Sequence, residues 1–464
     1  MSALIIRFPN CYEIEKQYIC SVIFNDFLGI EFELLFEENR KDIEIGMQGT
    51  NNSSIIFPEV LFSTPLEKWL HPSTLPSLPL RVRSLQDFPS NSFIQPSVPV
   101  LFGDSGPIEC NLEERQTYFD IDLLGGIFFC LTLYEEVNAT ASDKHGRFPV
   151  KESILYKAGI YERPIVNEYV EILKELLRLK FNLLFKKPRK YKLVLSHDMD
   201  FSLTHETDFI HFLKSCLADL IFRRSPSLLR RRVCSRALKK ESLENNPDPM
   251  NNADFIMDVS ESLGVVSEFN FIVEQGIGTS DVRYDIEKKF YKDLLVRVRE
   301  RGHVIGLHPS YHTYCDLNKT DKEFKKIRAL CDELGIQQES WGGRHHYLRW
   351  KNPISWQIWD QMGADYDSSV GATEEMGFRA GTCYPYTVFD LIERKSLKLK
   401  ERPLVVMDHS IFKIENKAEA HNKVIHLSKV CKHFGGELSL LYHNNYIVTT
   451  GQKRNYYELV KQLT

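Results

Sequence analysis

Four places in the sequence combine residue types that can do acid-base or metal chemistry. The apolar run Lys192 to Ser196 leads into His197, Asp198, Met199 and Asp200. On an extended chain alternate side chains share a face, so Asp198 and Asp200 converge on one side. A D-x-D taken alone is more often an Asp-rich turn or a helix cap. A second run ends in Gly306, Leu307, His308, Pro309, Ser310, Tyr311 and His312. A helical turn starting at Pro309 would set His308 and His312 on one face, the spacing with which two imidazoles chelate one metal. With 15 His among 464 residues, chance alone supplies about 0.5 such pairs, so this one carries weight only beside the aspartates. Two further runs end in Gly342-Gly343-Arg344-His345-His346-Tyr347 and in Leu441-Tyr442-His443-Asn444. An arginine can orient a carboxylate and lower its pKa, and His443 can hand a proton to a leaving group. Singly, Arg344 reads as a solvated ion pair and His443 as a core-edge residue. Jointly, those readings need four coincidences at one end of one sheet.

The elements that must position these groups are legible as alternation. Apolar runs at 192–196, 266–273, 303–307, 338–343, 363–367, 403–408 and 437–442 are separated by amphipathic stretches such as 284–301, 320–334 and 416–433. Seven strand-helix units predict a parallel sheet, in which reactive groups sit at the C-terminal strand ends. Upstream the pattern differs. Eight of the 20 prolines lie between Pro65 and Pro107, which suits short strands and turns. After Pro164, the residues Val166, Tyr169, Val170, Leu173, Leu176, Leu177 and Phe181 predict a long helix closed by a basic hinge at Lys186, Lys187 and Pro188. The expectation is an N-terminal α+β accessory domain over 1–187 and an α/β domain over 188–464.

Composition narrows the function classes. Lys and Arg number 59 against 63 Asp and Glu, a net charge of −4, which gives no whole-molecule attraction to nucleic acid. The ten cysteines never fall in a C-x-x-C spacing and read as reduced thiols. Met1 to Asn10 has no basic n-region or cleavage site, and no apolar run approaches the ~18 residues of a membrane span. A cytoplasmic protein without an integral membrane segment is expected; nothing sets its oligomeric state.

The order D-x-D, H-x-x-x-H, R-x-x-Y and L-x-H resembles the polysaccharide deacetylase (NodB-like, carbohydrate esterase family 4) superfamily over 190–464. The phrases LSHDMD, HVIGLHPSYHTY, GGRHHYLRW, GADYDSSVGATEEMGFRAGT and LSLLYHN are similar to a branch of deacetylase-like proteins found among bacterial surface-glycan genes. The segments DIDLLGGIFFCLTLYEE and DKHGRFP look like the N-terminal part that accompanies that branch. The resemblance implies a deformed (β/α) barrel of about seven strands with a divalent metal, zinc first among the candidates. It implies Asp200, His308 and His312 as metal ligands, Asp198 as base, Arg344 as the residue that tunes it, and His443 as acid. Asp408 is the best-placed carboxylate to raise the pKa of His443, with Asp365 and Asp367 behind it. Two departures matter. Met199 separates the aspartates, which leaves the roles of Asp198 and Asp200 open to exchange. Where the family has Arg-x-Pro this chain has Arg344-His345-His346, so His346 could contact substrate or metal; Tyr347 and Tyr311 are further candidates for the substrate groove.

The expected activity is removal of an N-acetyl group from a sugar or glycan precursor in surface-glycan synthesis or modification, with no nucleic-acid partner. The alternatives are a glycan-binding or scaffolding module on the same fold, or hydrolysis of an O-acetyl, formyl or non-sugar amide group. The basic run Arg230, Arg231, Arg232, Arg236, Lys239 and Lys240 reads first as a solvated helix face and second as a phosphate or lipid-diphosphate contact. Trp356 and Trp359 read as core, and Gly371 to Thr382 as a loop over the barrel mouth. The N-terminal part is expected to supply no catalytic group.

Overall fold

The computed structural model describes residues 3–49, 53–89, 93–104, 110–183, 185, 189–200, 202–274 and 284–464. The basic hinge at Lys186, Lys187 and Pro188 lies outside the described residues. Strands β1 (Leu4–Pro9), β2 (Phe32–Glu37), β3 (Asp42–Met47), β4 (Ser54–Pro58) and β7 (Gln116–Tyr118) form a mixed sheet in the order β2-β1-β3-β4-β7. The proline-rich stretch contributes an antiparallel pair, β5 (Arg81–Ser84) and β6 (Ser97–Val100), with single turns of helix around it. The helix Ile165–Phe181 buries the apolar residues of its predicted stripe, Val166, Tyr169, Val170, Leu173, Leu176, Leu177 and Phe181. It ends at Asn182, whose left-handed backbone breaks the helical path.

A second sheet carries the candidate chemistry. Each of the seven apolar runs contains a strand: β8 (Lys192–Asp198), β9 (Ser267–Phe271), β10 (Val304–Leu307), β11 (Gly342–Gly343), β12 (Tyr366–Asp367), β15 (Val406–Met407) and β16 (Glu437–Leu441). All are parallel to their neighbours in the order β12-β11-β10-β9-β8-β16-β15. Every residue of β9 is buried, as expected of a parallel strand covered on both faces. Each fully buried Phe or Ile of such a strand contributes about 1.5–3 kcal/mol.

The seven-unit reading missed a hairpin. Strands β13 (Tyr386–Asp390) and β14 (Lys395–Glu401) pair antiparallel, and β14 joins the parallel edge beside β12. Lys395–Glu401 alternates exposed and buried residues, a half-buried edge pattern with no long apolar run to announce it. The ladder does not close into a barrel: no pairing joins β14 to β15 among the described residues. The intervening chain spans the gap, with Arg402 N–H donating to Asp367 O, Leu404 N–H to Val370 O and Val405 N–H to Ser439 O at 2.8, 2.8 and 3.2 Å. Irregular backbone, not a strand pairing, thus lies between these two sides of the sheet.

One continuous hydrophobic core runs through both sheets. The segment Gly371 to Thr382, read as a loop over the mouth, mainly forms the seam between them: Phe378 N–H donates to Tyr161 O, Val166 N–H to Gly381 O, and Arg379 pairs with Glu136. Trp356 and Trp359 are wholly buried. No helix among the described residues is long and apolar enough to cross a membrane.

Candidate metal centre

Asp198 is the last residue of β8 and is buried. Its Oδ1 accepts from Asn270 Nδ2 at 2.8 Å and from Arg344 Nη1 at 3.2 Å. The Asn270 contact needs Gly306 on the neighbouring strand, because a Cβ there would sit 1.9 Å from Asn270 Oδ1. Arg344 follows β11 and is held by Ser196 Oγ at 3.0 Å and Ser368 O at 2.9 Å. Burial alone would raise the pKa of Asp198, but His308, Arg344 and His443 outweigh it and hold the carboxyl below its usual range.

Beyond the strand end, Asp200, His308 and His346 bring one ligand atom each to within 4.8 Å of one another. His308 Nε2 stands 3.1 Å from Asp200 Oδ1, and His346 Nε2 stands 3.5 Å from Asp200 Oδ2. His308 Nδ1 bonds the carbonyl of Arg344. A carbonyl only accepts, so Nδ1 carries the proton and Nε2 presents its lone pair to the aspartate when the ring is neutral. His308 Nε2 and Asp200 Oδ1 are both buried without a hydrogen-bond partner. Two buried acceptors left facing each other cost free energy unless a cation lies between them. The donor set of one carboxylate and two imidazoles therefore fits a divalent metal with an open position. Burial pushes Asp200 up, yet the neighbouring His346 and His308 bring it well below the usual carboxylate range.

The structure does not bring His312 to this group. Residues 308–316 form turns, and the next helix begins only at Leu317, capped by Asp316. Glu323 binds both the backbone N–H and the hydroxyl of Ser310, and Thr313 N–H and Oγ1 both donate to Ser310 O. That turn replaces the expected i, i+4 face and leaves His312 exposed, edge-on to Tyr311. His346 takes the place assigned to His312. It reaches it because Gly343 passes so close to β10 that a Cβ would lie 1.9 Å from Leu307 O. The chain then turns sharply through left-handed Tyr347 and Leu348, with φ of 60° and 51°. Such conformations cost non-glycine residues about 1–3 kcal/mol each and persist only where neighbours enforce them. Here Arg147, from the N-terminal part, donates to the carbonyl of Tyr347, and Leu348 N–H donates to His345 O at 2.9 Å.

His443 follows β16 and faces the cluster from the other side, its Nε2 3.4 Å from Asp200 Oδ2. Its Nδ1 lies 2.9 and 3.0 Å from the two oxygens of buried Asp408, which also accepts the His443 backbone N–H. Burial would lower the imidazole pKa, but Asp408 and then Asp200 dominate and raise it well above its ordinary value. Asp365 instead accepts from Trp341 N–H, and Asp367 from Ser369. The charged imidazole is thus held by Asp408 alone of the three aspartates.

These groups open onto a cavity of about 560 Å³. Tyr347 lines it and is partly exposed. Tyr311 stands behind the lining, its hydroxyl 2.9 Å from His145 Nδ1 and its ring 4.0 Å from the Arg349 guanidinium. Sequence reasoning missed Lys144, His145 and Arg147, which reach the cavity from the N-terminal part. The signal was present in DKHGRFP, a loop segment dense in polar side chains, but no spacing ties it to a site more than fifty residues downstream.

A family model described as a family of unknown function (DUF7033) matches residues 4–182. No curated protein matches the chain. Similar solved structures include a candidate polysaccharide deacetylase from Mycobacterium smegmatis, at 13% identity and a TM-score of 0.39, covering 61% of this chain and 86% of that one. An allantoinase is similar at 11% identity and a TM-score of 0.36, covering 60% and 87%. A 4-alpha-glucanotransferase from Thermococcus litoralis is similar at 12% identity and 0.34, covering 60% of this chain and 37% of that one. At these scores the likeness bears on neither activity nor substrate.

Proposed function

We propose that the chain is a metal-dependent hydrolase that removes an N-acetyl group from a sugar in surface-glycan synthesis or modification. The observation that carries this reading is the convergence of Asp200, His308 and His346 between Asp198 on one side and the His443–Asp408 pair on the other. Zinc held by the three would act as a Lewis acid, polarising the acetyl carbonyl and acidifying a water. Asp198 stays ionised beside Arg344 and takes the proton of the attacking water. His443, charged because Asp408 backs its Nδ1, donates from Nε2 to the departing sugar nitrogen. Arg344 positions Asp198 and, through its carbonyl, the tautomer of His308. The cavity is roomy enough for one or two sugar rings, and Tyr347 offers a ring face at its edge. The test is release of acetate from N-acetylated sugars by the purified full chain supplied with zinc. Absence of acetate release across N-acetyl sugars, with metal bound in stoichiometric amount, overturns the reading.

A further inference from the structure

The helix Phe209–Ile221 is turned inside out. Its apolar residues Phe209, Ile210, Leu213, Leu217, Leu220 and Ile221 are all about half or more exposed, and Phe222 just beyond it is 84% exposed. At 3.6 residues per turn, Phe209, Leu213, Leu217 and Leu220 form one stripe, with Ile210 and Ile221 beside it. The inner face carries half-buried Phe212, under the Arg236 guanidinium, beside a buried charge. Asp219 is wholly buried there, pairing with Arg232 at 2.7 Å and Arg223 at 2.6 Å. Rotating the stripe inward would carry that ion pair's carboxylate outward and strand a buried guanidinium, so the side that faces solvent is set by the pair. An apolar face this size on a surface helix marks a contact.

The charge around the face says with what. Between 209 and 240 stand nine Lys and Arg and one acid, the buried Asp219, in a chain whose net charge is −4. Lys214 on this helix, Arg224 just beyond it, and Arg230 and Lys239 on and at the end of the next helix, Pro226–Leu238, are exposed. A second copy docking by this same face would set basic groups against basic groups, since a two-fold contact meets itself. An anionic lipid surface accepts both features: acyl chains take the Phe and Leu side chains, and headgroups take the Lys and Arg. The helix has 13 residues, too short to span a bilayer and enough to lie in its interface. We infer that Phe209–Ile221 and the basic residues around it dock the protein on an anionic membrane surface. The same helix presents His211 and Ser215 to the cavity beside Asp200 and His443. These two residues lie on the side of the helix opposite the apolar stripe, so docking would hold the cavity one helix diameter, ~10 Å, above the headgroups.

The test is co-sedimentation of the full chain with vesicles of phosphatidylcholine alone and of phosphatidylcholine mixed with phosphatidylglycerol. It is run without metal or substrate, so its outcome is separate from that of the hydrolase reading. The protein should pellet with the anionic vesicles and not with the neutral ones, and less as salt rises. Leu213→Ser/Leu217→Ser/Phe222→Ser should abolish binding while the protein still melts cooperatively within a few degrees of wild type, because all three side chains are half or more exposed. Arg224→Glu/Arg230→Glu should weaken partitioning by about tenfold or more. Wild type left in the supernatant with both vesicles, or variants that pellet like wild type, would overturn the inference. So would a dimer in sedimentation velocity that the serine variant dissociates while vesicles stay bare, which would assign the face to a second copy.

Discussion

Exchanging His346 and His312 in turn separates the geometry from the spacing. His346 is buried with its Nε2 3.5 Å from Asp200, whereas His312 is exposed on a turn. Loss of a residue that only supports a metal ligand typically costs 10- to 100-fold in metal affinity. Removing one of three protein ligands should cost more, so His346→Gln is expected to weaken zinc binding by over ~100-fold, or about 2.7 kcal/mol. His312→Ala should change it by less than about threefold, since an exposed side chain outside the cluster contributes no bond. Competition for zinc against a chromophoric chelator measures both, with metal content of the purified proteins as a second readout. Metal-free melting temperatures of the two variants guard against a folding effect, because Gln fills most of the space of the imidazole. If His312→Ala empties the site and His346→Gln leaves it filled, the three-residue cluster is not the metal centre.

Asp198→Asn should lose turnover by several orders of magnitude while retaining stoichiometric zinc; loss of the metal instead would mean that Asp198 and Asp200 exchange roles. His443→Ala should slow amide cleavage by ~10²- to 10⁴-fold and spare an activated aryl acetate, whose leaving group needs little protonation. Equal losses on both substrates would remove His443 as the acid. Burial lifts Asp367 from 3.8 to about 7 despite the hydrogen bonds from Ser369. The folded chain thus holds a proton that the unfolded chain releases, a contribution complete below about pH 4 and lost as pH rises through 7. Asp367→Asn keeps an acceptor for Ser369 and should flatten the fall in melting temperature across that window; an unchanged slope would place the titration elsewhere.

Most of the groups that the structure clusters are legible in the sequence because strands carry a period of two and end where the apolar run ends. Asp198 with Asp200, the histidine after Leu307, Arg344 and His443 all follow from that rule, and so does the parallel order of the seven runs. Asp408 as the partner of His443 is also within reach, since adjacent strand ends meet. The choice between His312 and His346 is not. Four-residue spacing means a shared face only on a helix, and Glu323, thirteen residues from Ser310, diverts that segment into a turn. Hydrogen bonds of that kind have no local signature. The same holds for Arg147, which reaches Tyr347 across 200 residues and helps to keep the left-handed turn that aims His346. It holds for the inverted helix as well: helical spacing puts Phe209, Leu213, Leu217 and Leu220 on one side, and the buried pairing of Asp219 with Arg232 decides that this side faces water. Periodicity determines which residues lie on one side of an element; tertiary packing of polar partners determines where that side points.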